Sequence, residues 1–457
     1  MAKTGSNFIP TMAALALSIA VGGCSTVASV KNAVIGGEPA QGRLLTGYIG
    51  GAAADEPNAV IIARDVLARG GNAADAATAL GFMLPVTLPS RASLGAGGAC
   101  LAYQPGVDSP NKGAPEAIMF LPVPGGAGGA RPAAVPMLAR GLYLLSARYG
   151  SRPFAEMVGP AEQAARLGHK VSRALVRDIA AVSGPLAGDE QAGALFVPGG
   201  VPLAEGQTLI QSDLGGNIAQ IRTVGVGDLY QGLLAHKIAD ASVAVGGGIT
   251  VDALRASLPS LASPIVQAAG SDQVAFLPAP ADGGAAMAAG LQALGRNSAD
   301  QQGAYVATLN TAAAARGGAG LPALPASTSF VVVDRKGGAV ACAISMGNLF
   351  GTGRIAPGTG IVLGASPAAR PAPLYAAAIA YNANIGAFRA AVAASGQNAA
   401  AAAGAITLSS ALAGPASPSG PEPGRANVAA CGRYLPGDAA SCRISADPRG
   451  YGLASGG

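Results

Sequence analysis

The stretch from Ser327 to Ser345, "STSFVVVDRKGGAVACAIS", constrains this chain more than any other. An apolar, β-branched run leads into the turn Asp334-Arg335-Lys336-Gly337-Gly338, and a second apolar run follows to Ser345, which is the pattern of a β-hairpin. The residues before it, from about Gly283 to Gly320, are rich in alanine and glycine, and "TAAAARGGAGLPALPA" is nearly featureless, so a mobile or cleaved connector is expected there. Small hydroxyl residues stand at the junction. A chain leaves a linker in this way, and a self-cleaving enzyme would also place a hydroxyl nucleophile in this way, at the head of a central strand. The period of two in a strand puts Ser327 and Thr328 on opposite faces, so only one of them points into any one site.

Composition decides whether a packed fold can surround such a hairpin. With 457 residues, 50% of them hydrophobic and 12% charged, the chain can bury a large core. Aromatic residues make up only 4%, tryptophan is absent and there are 68 glycines, so small side chains and close backbone approaches must do much of the packing. The net charge is +5, and the lysines and arginines are scattered singly, which argues against a surface that tracks nucleic acid.

Residues 1–23 read as an export segment: Lys3, then an apolar run from Met12 to Val21 that is too short for a permanent membrane anchor. "Val21-Gly22-Gly23-Cys24-Ser25" resembles a bacterial lipobox, with Cys24 as the lipidated first residue of an exported, periplasmic protein anchored to the outer membrane. No later stretch reads as a transmembrane helix. In an oxidising compartment Cys431 and Cys442 can close a small loop, whereas the apolar surroundings of Cys100 and Cys342 suggest buried thiols. The only histidines, His169 and His236, lie near no cysteine or carboxylate cluster, so neither a zinc site nor a Ser-His-Asp triad is expected.

"NAVIIARDVLARGGNAADAATALGFML" reads as two helices, broken at Gly70-Gly71 and restarted by Asn72 as cap. "SLGAGGACLAYQP" brings a glycine-rich turn into an apolar strand; it lacks the lysine of a phosphate-binding loop. Scaffold helices follow from Val135 to about Val182, and more of the same kind beyond Gln211. After the hairpin come a strand-like segment, a turn and an alanine-rich helix within 372–412, and the last forty or so residues are expected to loop over the surface.

Several of these segments carry a family resemblance. "VLARGGNAADAATALGFMLPVTLP", "LGAGG", "YGSRPFAEMVGPAEQAARLGHKVS", "GGGITVDAL", the hairpin, "FGTG", "PGTGIVL" and "ADPRGYG" look like the gamma-glutamyltransferase family and occur in that family's order. The resemblance implies an α+β, four-layer αββα N-terminal-nucleophile hydrolase sandwich, needing no cofactor, whose precursor cuts itself into a large and a small subunit that remain together as a heterodimer. It places the nucleophile of the family on Ser327, with Thr328 as the alternative, and a supporting hydroxyl on Ser345. The hydroxyl attacks the substrate amide while the freed α-amino group of the same residue acts as base, which removes the need for histidine. The implied cut is Ala326 to Ser327, separating a large-subunit region, 24–326, from a small one, 327–457, of 131 residues, the two forming one intertwined domain.

The glutamyl pocket departs from the family pattern. The segment that holds the carboxylate-binding arginine is here Met119-Phe120-Leu121-Pro122, without charge, although Arg131 is near in sequence. The aspartate pair for the α-amino group falls on Ala368-Ala369, next to Arg370; the family asparagine falls on Gly347, with Asn348 one place later. Asn348, Arg370 and Arg131 are therefore the candidate substrate-binding residues. The Ser-Ser of the family is replaced within Arg370–Leu374, and its Gly-Gly oxyanion turn falls on Gln397-Asn398. Two readings follow: an amide hydrolase or acyltransferase of altered specificity acting on a small amide or peptide, or a lipid-anchored pseudoenzyme with a binding or structural role.

Overall fold

The computed structural model describes residues 44–318, 326–369, 371, 373–414 and 417–456. The expected export segment, Cys24 and Arg370 lie outside the described residues. Numbering the strands of the two large sheets in chain order gives β1 (Gly50–Ala54), β2 (Gly97–Tyr103), β3 (Glu116–Phe120), β4 (Ser260–Ala262), β5 (Ile265–Ala269), β6 (Asp272–Phe276), β7 (Ser327–Asp334), β8 (Ala339–Ser345), β9 (Ala376–Asn382), β10 (Ala387–Ser395), β11 (Arg425–Leu435), β12 (Cys442–Ser445) and β13 (Leu453–Gly456). One sheet runs β13-β1-β7-β8-β2-β3-β4 and the other β12-β11-β10-β9-β6-β5, antiparallel at each pairing. The expected hairpin is β7–β8, at the centre of the first sheet.

The sheets face each other across a layer rich in alanine methyls. Ala53, Ala99, Val331, Ala341 and Ala343 from the first sheet meet Ala275, Ala377, Ala391, Ala393 and Ala429 from the second, all buried. Small side chains let two pleated surfaces approach closely, which explains how so few aromatics suffice. Alternate residues of the same strands, Phe330, Val332, Val340 and Ile344, turn the other way and pack on α1 (Pro57–Ala68), α2 (Ala73–Thr87) and α3 (Leu138–Tyr149). The outer face of the second sheet is covered by α4 (Gly283–Arg296), α5 (Gln301–Arg316) and α6 (Ala400–Ala413). The result is the four-layer αββα sandwich. Strands from before and after residue 327 interleave in both sheets, and no helix among the described residues is long and apolar enough to cross a membrane.

Local chemistry sets the helical layer beneath β7. Glu56 caps α1 by accepting from the Asn58 amide, Pro57 pre-sets its first turn, and the chain reverses through Gly70 at φ +85°. Asn72 and Asp75 then form a reciprocal capping box at the head of α2, which is buried along its whole length.

Three expectations are corrected. Residues 283–316 are two helices and not a connector: alanine is the best helix former, and a run of it is featureless only to a test of periodicity. Within the last forty residues, β11 is a buried interior strand of the second sheet, and β12 and β13 are edge strands, so this segment does not merely loop over the surface. Cys100 and Cys342 are not thiols. They face each other on the paired strands β2 and β8 with Cα atoms 4.1 Å apart, and their sulfurs are bonded; Cys431 and Cys442, likewise opposed on β11 and β12, form a second disulfide.

Candidate active site

The register of the central hairpin brings the two serines together. Ser327, the first residue of β7, pairs with Ser345, the last of β8, and the two are 2% and 1% exposed. The Ser345 hydroxyl donates to the Ala326 carbonyl oxygen at 3.1 Å and accepts from the Gly347 amide at 2.9 Å, so its proton is directed at that carbonyl. The Met346 amide donates to the same oxygen at 3.2 Å. Two donors thus converge on the peptide group that joins Ala326 to Ser327.

On its other side, the Ser327 hydroxyl oxygen accepts from the Gly396 amide at 3.1 Å. Gly396 has φ +104° and Gln397 φ +62°, so the turn after β10 is left-handed at both residues. A Cβ on Gly396 would lie 2.4 Å from the Pro423 carbonyl oxygen, which leaves glycine as the residue that fits. The turn that addresses Ser327 is therefore Gly396-Gln397, one residue upstream of the expected Gln397-Asn398.

Strand alternation separates Thr328 from Ser327. The Thr328 hydroxyl donates to Asp55 Oδ2 at 3.0 Å. That carboxylate, immediately after β1, also accepts from the Ser329 amide at 3.2 Å, the Ser395 hydroxyl at 3.1 Å and, through Oδ1, the Asn427 side-chain amide at 2.8 Å. Ser329 completes the cluster by donating to the Ala393 carbonyl at 3.1 Å. Asp55, Ser395 and Asn427 were not singled out in the sequence; the available signal was a charged pair, Asp55-Glu56, closing the uncharged run "GGAAA".

The adjoining groups are electrostatically unusual. Burial lifts the Glu56 carboxyl from its ordinary value to about 7, against hydrogen bonds from Ser172 and Asn58 and the Arg91 charge. For Arg91, burial works against the charge, but the paired Asp178, at 2.7 Å, and the nearby Asp55 and Glu56 together hold its pKa above the ordinary value. His169, buried, is lowered to about 4 by desolvation and sits on a short strand pairing of its own, Lys170 with Thr208 and His169 with Leu209.

Of the candidate substrate-binding residues, Asn348 lies on the loop that follows Ser345 and Arg131 contacts that loop. Arg131 donates to the Thr352 carbonyl at 2.9 Å, and half-buried Asn348 lies 3.5 Å from the Gly351 carbonyl, at the limit of a hydrogen bond. Ala368 and Ala369 are exposed, and Leu121 packs against the inter-sheet layer. A cavity of about 230 Å³ is lined by Asn72, Tyr103, Ser151, Asp334 and Lys336, at the opposite end of β7 from Ser327.

Comparison with known proteins agrees with this architecture. The gamma-glutamyltranspeptidase family model matches residues 59–317. The glutathione hydrolase proenzyme of Escherichia coli (strain K12) is 32% identical over 234 residues, 48% of this chain and 40% of that protein. The acylase ACY 1 proenzyme of Pseudomonas sp. (strain SE83) is 32% identical over 212 residues, 42% of this chain and 38% of that protein. The chain therefore spans about two fifths of the length of the curated relatives it matches. Among solved structures, cephalosporin acylase from Bacillus halodurans superposes with a TM-score of 0.71 at 18% identity, covering 92% of this chain and 97% of that one, and gamma-glutamyltranspeptidase from Helicobacter pylori with a TM-score of 0.52 at 22% identity, covering 60% and 84%. The fold is shared with both, and the match to the family model extends over more than half of the sequence: the chain belongs to the gamma-glutamyltranspeptidase family.

Proposed function

We propose that this chain is an N-terminal-nucleophile amide hydrolase or acyltransferase that cuts itself between Ala326 and Ser327. The observation that carries the reading is the convergence of the Ser345 hydroxyl and the Met346 amide on the Ala326 carbonyl oxygen, next to the Ser327 hydroxyl. In the cut, Ser327 Oγ bonds to the Ala326 carbonyl carbon and the C=O electrons move onto oxygen, where those two donors hold the charge. Collapse breaks the C–N bond, and the hydroxyl proton goes to the departing nitrogen. The resulting ester is hydrolysed by water, leaving Ala326 as a carboxylate and Ser327 with a free hydroxyl and a free α-amine. That amine then takes the hydroxyl proton in attack on a substrate amide, and Gly396 supplies a backbone donor at the reacting centre.

The substrate is a small amide or peptide whose acyl group lacks a free α-carboxylate and α-ammonium. Such charges, once buried, need paired partners, and the matching positions carry Leu121, Gly347, Ala368 and Ala369. An acylase stands among the relatives beside the glutathione hydrolases, so an acyl group other than glutamyl lies within the range of similar proteins. Export and lipidation at Cys24 would hold the enzyme at the periplasmic face of the outer membrane. The uncharged pocket also suits the pseudoenzyme reading, and activity separates the two. Incubation with a γ-glutamyl anilide, glutathione and a series of simple acyl anilides should give turnover of acyl anilides and little of the first two. Turnover of γ-glutamyl anilide at the level of the acyl anilides would show that Arg131 or Arg370 has taken over carboxylate binding; no turnover of any amide would favour the pseudoenzyme.

A further inference from the structure

We propose that Asp55 is the positioning residue that fixes the nucleophile against its oxyanion turn. The proposal rests on the self-cleavage reading above. One carboxylate, 8% exposed, collects donors from Thr328, the residue after Ser327, from Ser395, the residue before Gly396, and from Asn427 on β11. These groups belong to both sheets, and Asp55 itself lies in the region that would become the large subunit. The 3.1 Å contact between Ser327 Oγ and the Gly396 amide is bracketed by bonds to this one side chain. The layer between the sheets is otherwise dominated by apolar side chains, alanine most often. A buried carboxylate is costly there unless each lone pair is satisfied, and four charge-assisted hydrogen bonds satisfy it. Asn427 adds rigidity with its second N–H, which is shared between the Ser329 carbonyl and hydroxyl oxygens, at 3.0 Å each.

The test uses the full chain and follows the rate of self-cleavage by denaturing gel under reduction. Thr328→Val keeps the shape of threonine and removes its hydroxyl, while Thr328→Ser keeps the hydroxyl and removes a methyl group. Positioning through Asp55 requires the valine variant to cut severalfold more slowly and the serine variant to cut at close to the native rate. A packing role requires the reverse order, which would overturn the proposal. Asp55→Asn, which leaves a single acceptor oxygen for four donors, should slow cutting at least tenfold. Asp334→Asn is its control: that carboxylate is also buried and accepts from the Ala73, Lys336 and Gly338 amides, but at the far end of β7, and its loss should leave cutting within twofold of native. If Asp55→Asn does not fold, the Thr328 pair decides. A native chain that stays uncut sinks the self-cleavage reading and this proposal together, whereas a native chain that cuts beside unaffected variants sinks this proposal alone.

A different observation carries a second inference. Cys100 precedes the cut and Cys342 follows it, and the two are bonded across β2 and β8. We infer that the large and small chains remain covalently joined after cleavage. Cys431–Cys442 lies wholly within the small chain and contributes nothing to this link. Purified from an oxidising compartment, the processed protein should run as one band without reductant and as two with it. Two bands without reductant, or free Cys100 in a peptide digest, would overturn the link; one band in both lanes would overturn the cut on which it depends.

Discussion

Ser327 and Ser345 are both buried hydroxyls, yet their partners give them different parts. Ser327 oxygen receives one backbone amide, whereas Ser345 stands between an amide that feeds it and a carbonyl that it polarises. Ser327→Ala should therefore abolish cutting and shift stability by only about 1 kcal/mol, the scale of one hydrogen bond, as read by chemical denaturation. Ser345→Ala should slow cutting by roughly 10²-fold without stopping it, because the Met346 amide remains on the Ala326 oxygen. If Thr328→Ala stopped cutting and Ser327→Ala did not, the nucleophile would be assigned one residue too early. Period-two alternation was legible in the sequence and put Ser327 and Thr328 on opposite faces. The Asp55 cluster was not, because its members come from three strands and the end of a fourth, and no local pattern marks a residue by what it meets across two sheets.

Among the elements, the turn after β10 and the cap of α1 are the most exposed to test. Gly396→Ala forces a Cβ to within 2.4 Å of the Pro423 carbonyl oxygen at φ +104°, so the turn must shift and the amide must leave Ser327. Strain of this kind costs about 1–3 kcal/mol, and cutting should slow about tenfold or more. The Glu56 cap makes a pH prediction. Its folded value of about 7 lies above its ordinary 4.5, so between these the folded chain keeps a proton that the unfolded chain has released. The contribution is fully present below about 4.5 and is lost as pH rises through about 7. His169 acts in the opposite sense, its contribution being present above 6.5 and lost as pH falls toward about 4. The difference between native and Glu56→Gln melting curves across this range isolates the first effect: the variant should gain on the native protein as pH rises from 5 to 7, and parallel curves would contradict the account. The α1–α2 hairpin could be read from sequence because Gly70-Gly71 and Asn72 act locally. The helices of 283–316 and the strands after Gly420 could not, since alanine and glycine runs carry neither the 3.6 nor the 2.0 period by which buried faces are recognised.

At the scale of the whole molecule, the proposed cut falls at the centre of an interleaved structure. β7 and β8 lie between β1 and β2 in the first sheet, and β9 pairs with β6 in the second, so separation of the chains would expose strand edges throughout. The fold was legible as a four-layer sandwich only through the order of motifs, because the sheet pairings join residues hundreds of positions apart, as with Ala52 and Val332. The same interleaving delivers Asp55, from before the proposed cut, to Thr328, the neighbour of the proposed nucleophile. The central claim is that Ser327 heads a strand released by its own hydroxyl. Intact mass measurement of the reduced protein after prolonged incubation tests it most directly: the account requires a fragment of 131 residues beginning Ser-Thr-Ser-Phe, absent from Ser327→Ala, and a single uncut mass in the native protein, or a fragment beginning at any other residue, would contradict it.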